Sequence, residues 1–159
     1  MEPILILGVG NILFTDEGIG VQALEWLQKH YAFPENITLI DGGTLGMGLM
    51  DALMQCSRVY VLDAVLGGKE PGSIYRLTDN DMRKSLSFRD SLHQTDLVDT
   101  LLYCEILGHR PEAVVFGMEP FDYQTMNVGL SPLCQKALPS LAKALIDEMQ
   151  GLGIPAMPR

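Results

Sequence analysis

The sequence is short of basic residues: 11 lysines and arginines face 20 aspartates and glutamates over 159 residues, a formal net charge of −9. A general nucleic-acid binder needs a basic face, and an anionic membrane surface selects for the same sign, so neither is an expected partner. Long hydrophobic runs are also missing. None reaches the roughly 18 residues that mark a transmembrane helix. Cysteine is scarce, with Cys56, Cys104 and Cys134 widely spaced and no C-x-x-C pair. That argues against a structural zinc site or a redox motif and leaves three buried thiols. The opening "MEPILILGVG" has an acid where a signal peptide is basic, so the cytoplasm is the expected location. Repeats, linkers and low-complexity segments are absent as well. What is present is enough apolar material, 47% of residues, for one substantial core, and a single domain over 1–159 is expected.

Short apolar runs that end in glycine predict strands at 4–10, 36–41 and 57–65, with further strands at 72–78 and 112–120. Helical spacing of apolar residues predicts helices at 17–31, 44–55, 91–108 and 131–153. Ser131 and Pro132 are a cap and a first helical residue. Ser91 and Gln94 form an S-x-x-Q capping box, which puts His93 in a first helical turn. Gly151 closes the last helix and Pro139 is a candidate kink. Residues 79–90 read as a polar loop. Strands alternating with helices call for a three-layer α/β/α sandwich around a mostly parallel five-stranded sheet. Ligands of such sheets bind beyond the carboxyl ends of the strands. Polar residues just after strands, or at helix starts, are therefore the candidates.

The stretch "GVGNILFTDEGIG" at 8–20 begins like a dinucleotide-binding turn but has Leu13 in the place of the third glycine. Glu17 would sit near a pyrophosphate and repel it, so Asp41 is not a ribose ligand. Asp41 instead shapes the Gly42–Gly43 loop, which is free to approach another chain. Asp16 reads as an N-cap. Glu17 reads either as an acid complementing the helix dipole or as a ligand. Asp63 ends the apolar run "VYVLD", where an acid is costly to bury unless it is paired or bound to a cation. A turn-forming role is open to it too. His30 and His109 fall at helix ends, where the dipole favours a cation, and read as structural or exposed. His93 falls where the dipole favours the neutral imidazole, the form that binds metal, although a satisfied non-ligand histidine fits the local signal equally. Glu17, Asp63 and His93 together make a plausible divalent-cation set, open and short of the nitrogen or sulfur of a permanent zinc centre. No serine, cysteine or lysine nucleophile is evident, and G-x-S-x-G is absent. Met47, Met50 and Met54 follow helical spacing and read as core.

Taken in order, "GVGNILFTDEGIG", "DGGT" at 41–44, "VLDAV" at 61–65, "SLHQ" at 91–94 and "GLSP" at 129–132 resemble the NiFe-hydrogenase maturation endopeptidases over nearly the whole chain. The resemblance implies an α/β sandwich protease that removes a short C-terminal peptide from the nickel-loaded precursor of a hydrogenase large subunit. It implies that Glu17, Asp63 and His93 are the metal-binding and catalytic side chains. The nickel is supplied by the substrate, and no tightly bound intrinsic cofactor is expected. Asp41, Gly42, Gly43 and Thr44 inherit a role in substrate recognition. A self-contained metallohydrolase and a non-enzymatic nickel or assembly chaperone are the competing readings. A monomer is expected.

Overall fold

The computed structural model describes residues 2–43, 49–86 and 97–159. Strand β1, Ile4–Val9, is buried at every position. It has no polar alternation because neither of its faces meets water, as in a central parallel strand covered by helices on both sides. It pairs in parallel with β3, Ile37–Gly43, on one side and with β4, Arg58–Ala64, on the other. β4 pairs in parallel with β6, Glu112–Met118, and β6 pairs antiparallel with β5, Ile74–Leu77, which closes that edge. The order β3-β1-β4-β6-β5 makes a five-stranded, mostly parallel sheet, as expected. β2, Tyr31–Ala32, and β7, Met157–Pro158, pair as a separate small ribbon that the sequence did not suggest.

The two faces of the sheet carry separate apolar layers. On one, α1, Ile19–His30, packs Ile19, Ala23, Leu24 and Leu27 with Ile6, Leu62 and the buried side of the C-terminal helix. On the other, α2, Met50–Gln55, and α3, Leu97–Ile106, supply Leu53, Leu97 and Leu101 against Leu5, Leu7 and Val61. The C-terminal helix α4, Pro132–Gly151, starts as expected: Ser131 Oγ accepts the Cys134 N–H at 3.4 Å and Pro132 is the first residue. Pro139 is exposed and stands inside the helix without ending it. The three thiols are free and buried, and burial pushes Cys56 up to about 11, so they pack as small apolar groups. Among the described residues no helix is long and apolar enough to cross a membrane.

Three expectations need correcting. The predicted helix 17–31 starts as a 3-10 turn, Thr15–Gly18, and becomes α-helical only at Ile19. The segment 79–90 is not all irregular: Asp79–Lys84 is a 3-10 helix, and Ser85 bridges to Val65 just after β4. β3 does not stop at Asp41. Gly8 faces Asp41 but Val9 faces Gly43, so Gly42 is the extra residue of a β-bulge and the ladder continues past it.

Candidate active site

β1 leads to β3 on one side, and the chain then crosses from β3 back over β1 to β4 on the other. The crevice beyond the carboxyl ends of β1 and β4 is the topological switch point of the sheet, where ligands of such folds bind. The turn after β1 and the last residues of β4 build it.

That turn is folded tightly. Gly10 has φ +120°, and a Cβ there would lie 2.0 Å from the Glu17 carbonyl oxygen and 3.8 Å from Asp63 Oδ1. The missing side chain therefore lets the turn close on itself while the Asp63 carboxylate lies alongside it. Gly20 answers a different demand. A Cβ there would meet the Leu62 and Val9 carbonyl oxygens at 2.0 and 2.3 Å, so only glycine lets α1 start directly on the strand ends. The glycines that mimic a phosphate-binding turn thus serve backbone packing.

Asp63 is the last but one residue of β4 and fully buried. Its Oδ1 accepts the Ala64 N–H at 2.9 Å and its Oδ2 accepts the Ser85 hydroxyl. Such a carboxylate is held in one orientation and does not swing as a turn-forming side chain would. Ser85 was missed because it lies in a polar stretch with no motif. Only the return of the chain past Val65 brings it there, through Leu66 N donating to Lys84 O at 2.8 Å. Glu17 lies in the 3-10 turn, half-buried, with its N–H bonded to Phe14 O at 3.0 Å. The turn of Glu17 and the carboxylate of Asp63 are thus brought to one place by Gly10. His93 lies outside the described residues, as do Ser91 and Gln94. Among the described residues no group of three His, Cys, Asp or Glu side chains could hold a metal ion.

Asp16 is not an N-cap. The cap positions are Phe14 and Gly18, and neither makes a side-chain cap bond. Asp16 lies inside the 3-10 turn, fully buried, and points the other way. Its Oδ2 accepts Phe121 N at 2.9 Å, Asp122 N at 3.0 Å and Ser131 Oγ at 2.8 Å, and its Oδ1 accepts Ser131 N at 2.8 Å. One carboxylate thereby ties the Glu17 turn to the loop after β6 and to the start of α4. The same loop grips Thr15, whose φ of 49° is rare for a β-branched residue. Thr15 Oγ1 donates to Thr125 O at 2.7 Å and Thr15 N to Asn127 O at 3.0 Å, which holds the unusual backbone in place.

Glu119, directly after β6, is a third buried carboxylate at this edge. Its Oε1 accepts the Tyr75 hydroxyl at 2.5 Å, Gly67 N at 3.0 Å and Lys69 N at 3.1 Å, fixing the loop after β4. Burial and this bond push the Tyr75 hydroxyl up from its ordinary value. Asp41 is exposed beside the bulge, within β3 and not in a loop, and Thr44 lies outside the described residues. His30 is exposed, stacked on Trp26, with Nδ1 2.8 Å from Trp26 O, and His109 Nε2 lies 2.6 Å from Cys56 O. Both are structural or exposed, as read from the sequence.

A family model described as hydrogenase maturation protease, HycI, matches residues 21–148. The chain is 38% identical over 131 residues to hydrogenase expression/formation protein HupD of Bradyrhizobium diazoefficiens, covering 81% of this chain and 68% of that protein. It is 32% identical over 158 residues to the hydrogenase 2 maturation protease of Escherichia coli, covering 98% and 96% of the two chains. The solved structure of the hydrogenase maturating endopeptidase HybD from E. coli superposes with a TM-score of 0.88 at 31% identity, over 99% of this chain and 98% of that one. The HycI maturation protease of Thermococcus kodakarensis, at 20% identity and a TM-score of 0.74, shares the fold. A sheet of this order, its first turn folded over Gly10 against a buried strand-end aspartate, and a match along most of the sequence lead to one conclusion: the chain belongs to the hydrogenase maturation proteases and is an endopeptidase.

Proposed function

We propose that this endopeptidase removes a short C-terminal peptide from the nickel-loaded precursor of a NiFe-hydrogenase large subunit, and that Glu17, Asp63 and His93 add their ligands to the nickel that the precursor carries. The observation that carries the reading is the juxtaposition at Gly10 of the Glu17 turn and the Asp63 carboxylate, at the switch point of the sheet. Two carboxylates and a neutral imidazole are hard-to-borderline donors suited to a divalent ion that already has other ligands. His93 enters on its place in the sequence motif. The orientation of Asp63, fixed by Ala64 N and Ser85 Oγ, suits a group that must meet a metal without reorganising. The nickel belongs to the substrate, so cleavage is conditional on metal loading.

The metal complex positions the scissile bond, which supplies the proximity part of the rate. Attack is by a water deprotonated by a carboxylate of the set or polarised by the metal. Asp41, exposed at the carboxyl end of the edge strand, and the half-buried bulge at Gly42 recognise the precursor beside the site, together with Gly43 and Thr44.

The test is incubation with nickel-loaded and nickel-free precursor, read by mass spectrometry. The expected result is loss of the C-terminal peptide from the loaded form alone, and none with Glu17→Ala, Asp63→Ala or His93→Ala. Normal cleavage by all three variants, or efficient cutting of the nickel-free form, contradicts the proposal.

A further inference from the structure

The loop between β6 and α4 is an irregular surface segment, yet it is anchored as firmly as a core element. Its two ends are bound by the buried Asp16 carboxylate, through Phe121 N, Asp122 N and Ser131. Within it, Asp122 Oδ1 accepts Gln124 N and Thr125 N, each at 3.0 Å, and the Thr125 side chain together with these two N–H groups holds the Asp122 carboxyl below its ordinary value. Its far side is zipped to the Glu17 turn: Asn127 N donates to Leu13 O at 2.8 Å, and Phe14 bridges to Asn127.

A loop held this rigidly still points large apolar side chains at solvent. Phe121 is 65% exposed, Met126 74% and Val128 68%, and Ile12 and Leu13 on the adjoining turn are exposed as well. Single exposed apolar residues mean little, but five on two segments zipped together form a surface that folding does not need. Its position limits what can cover it. Ile12 Cα lies 3.1 Å from where a Cβ on Gly18 would stand, so the surface begins on the turn that carries Glu17. The enzyme is an endopeptidase, so whatever approaches that turn is a polypeptide.

We infer that Ile12, Leu13, Phe121, Met126 and Val128 form a preorganised apolar platform that docks the folded body of the protein substrate beside the bond to be cut. This rests on the function proposed above and adds a binding surface separate from the metal-binding set. Preorganisation explains why a buried carboxylate is spent on a surface loop: a platform already ordered loses little entropy on binding. Exposed methionine and aromatic side chains are the types enriched at protein interfaces.

The experiment is steady-state cleavage of nickel-loaded large-subunit precursor by the full chain and by Met126→Ser/Val128→Ser, with Ile106→Ser/Leu107→Ser as the control at another exposed apolar pair. The platform variant is expected to raise KM by about tenfold or more, the loss typical of two interface anchors, with kcat within about twofold and an unchanged melting temperature. The control is expected to match the wild type. Phe121→Ser is a second platform variant and should shift KM in the same direction. Equal KM values for platform and control variants overturn the inference while leaving the proposed function standing. Wild-type enzyme that does not cut the loaded precursor overturns both. A wild-type dimer in sedimentation that the platform variant converts to monomer assigns the surface to a second copy and also overturns it.

Discussion

The carboxyl edge of the sheet and its amino edge deploy the same kind of side chain in opposite ways. At the amino edge, where β4 and β6 begin, carboxylates are paired with arginines at the surface: Arg58 with Glu112 at 3.1 Å, and nearby Arg110 with Glu105 at 3.4 Å. At the carboxyl edge Asp16, Asp63 and Glu119 are buried and accept bonds from backbone N–H groups and hydroxyls. Exposed pairs gain little because water and salt screen them. Buried carboxylates held by dipoles cannot be released cheaply, since the buried donors among those they satisfy would be left unpaired away from water. Charge at the amino edge is therefore dispensable, whereas at the carboxyl edge it fixes the geometry of the loops around the candidate site.

The comparison can be broken by removing one carboxylate at a time. Asp16→Ala is expected to have the largest effect. It strands the buried Ser131 N–H and hydroxyl and the part-buried N–H groups of Phe121 and Asp122, and each buried unsatisfied group costs roughly 1–3 kcal/mol, so the loss is about 2 kcal/mol or more. Urea denaturation checks the number. Because Asp16 binds both the Glu17 turn and the platform loop, protein that remains folded should also cleave poorly; full activity at reduced stability would separate the clamp from the site. Ser85→Ala comes next. Removing the hydroxyl from Asp63 Oδ2 is expected to cost about 1 kcal/mol in stability but to slow processing more than that loss explains, by roughly 10-fold or more. A double-mutant cycle in urea stability with Asp63→Ala tests the pairing: Ser85→Ala should cost nothing further once Asp63 is gone. Glu112→Ala, at the other edge, is the smallest change, within about 1 kcal/mol and with normal cleavage. A loss at Glu112 equal to that at Asp16 would erase the distinction between the two edges.

Much of the fold was legible because its signals are local. Strands 4–10, 57–65 and 112–120 announce themselves as apolar runs ending at polar or glycine residues, and they appear at Ile4–Val9, Arg58–Ala64 and Glu112–Met118. Ser131 and Pro132 mark a helix start through stereochemistry confined to a few residues. The β-bulge at Gly42 was not legible, because a bulge is a relation between two strands. Nor was the β2–β7 ribbon, which joins residues near opposite ends of the chain. Of the candidate site, Asp63 stood out as an acid at a predicted strand end and Glu17 as an acid at a predicted helix start; Glu119 ends the predicted strand 112–120 as Asp63 ends its own but was not singled out, and Ser85 carried no pattern at all.

The sequence by itself determined the alternation of strands and helices, the edge at which polar residues gather and the family, since these depend on periodicity, punctuation and motif order along one dimension. Only the tertiary structure decided where each acid goes. Asp16 and Glu17 are neighbours in the chain and look interchangeable on paper. One 3-10 turn sends the first into a buried network 115 residues away at Ser131 and leaves the second half-buried beside Gly10 and Asp63. The reason is physical: whether a carboxylate serves as clamp or reactive group depends on which donors and how much water surround it, and those come from segments the local sequence does not contain.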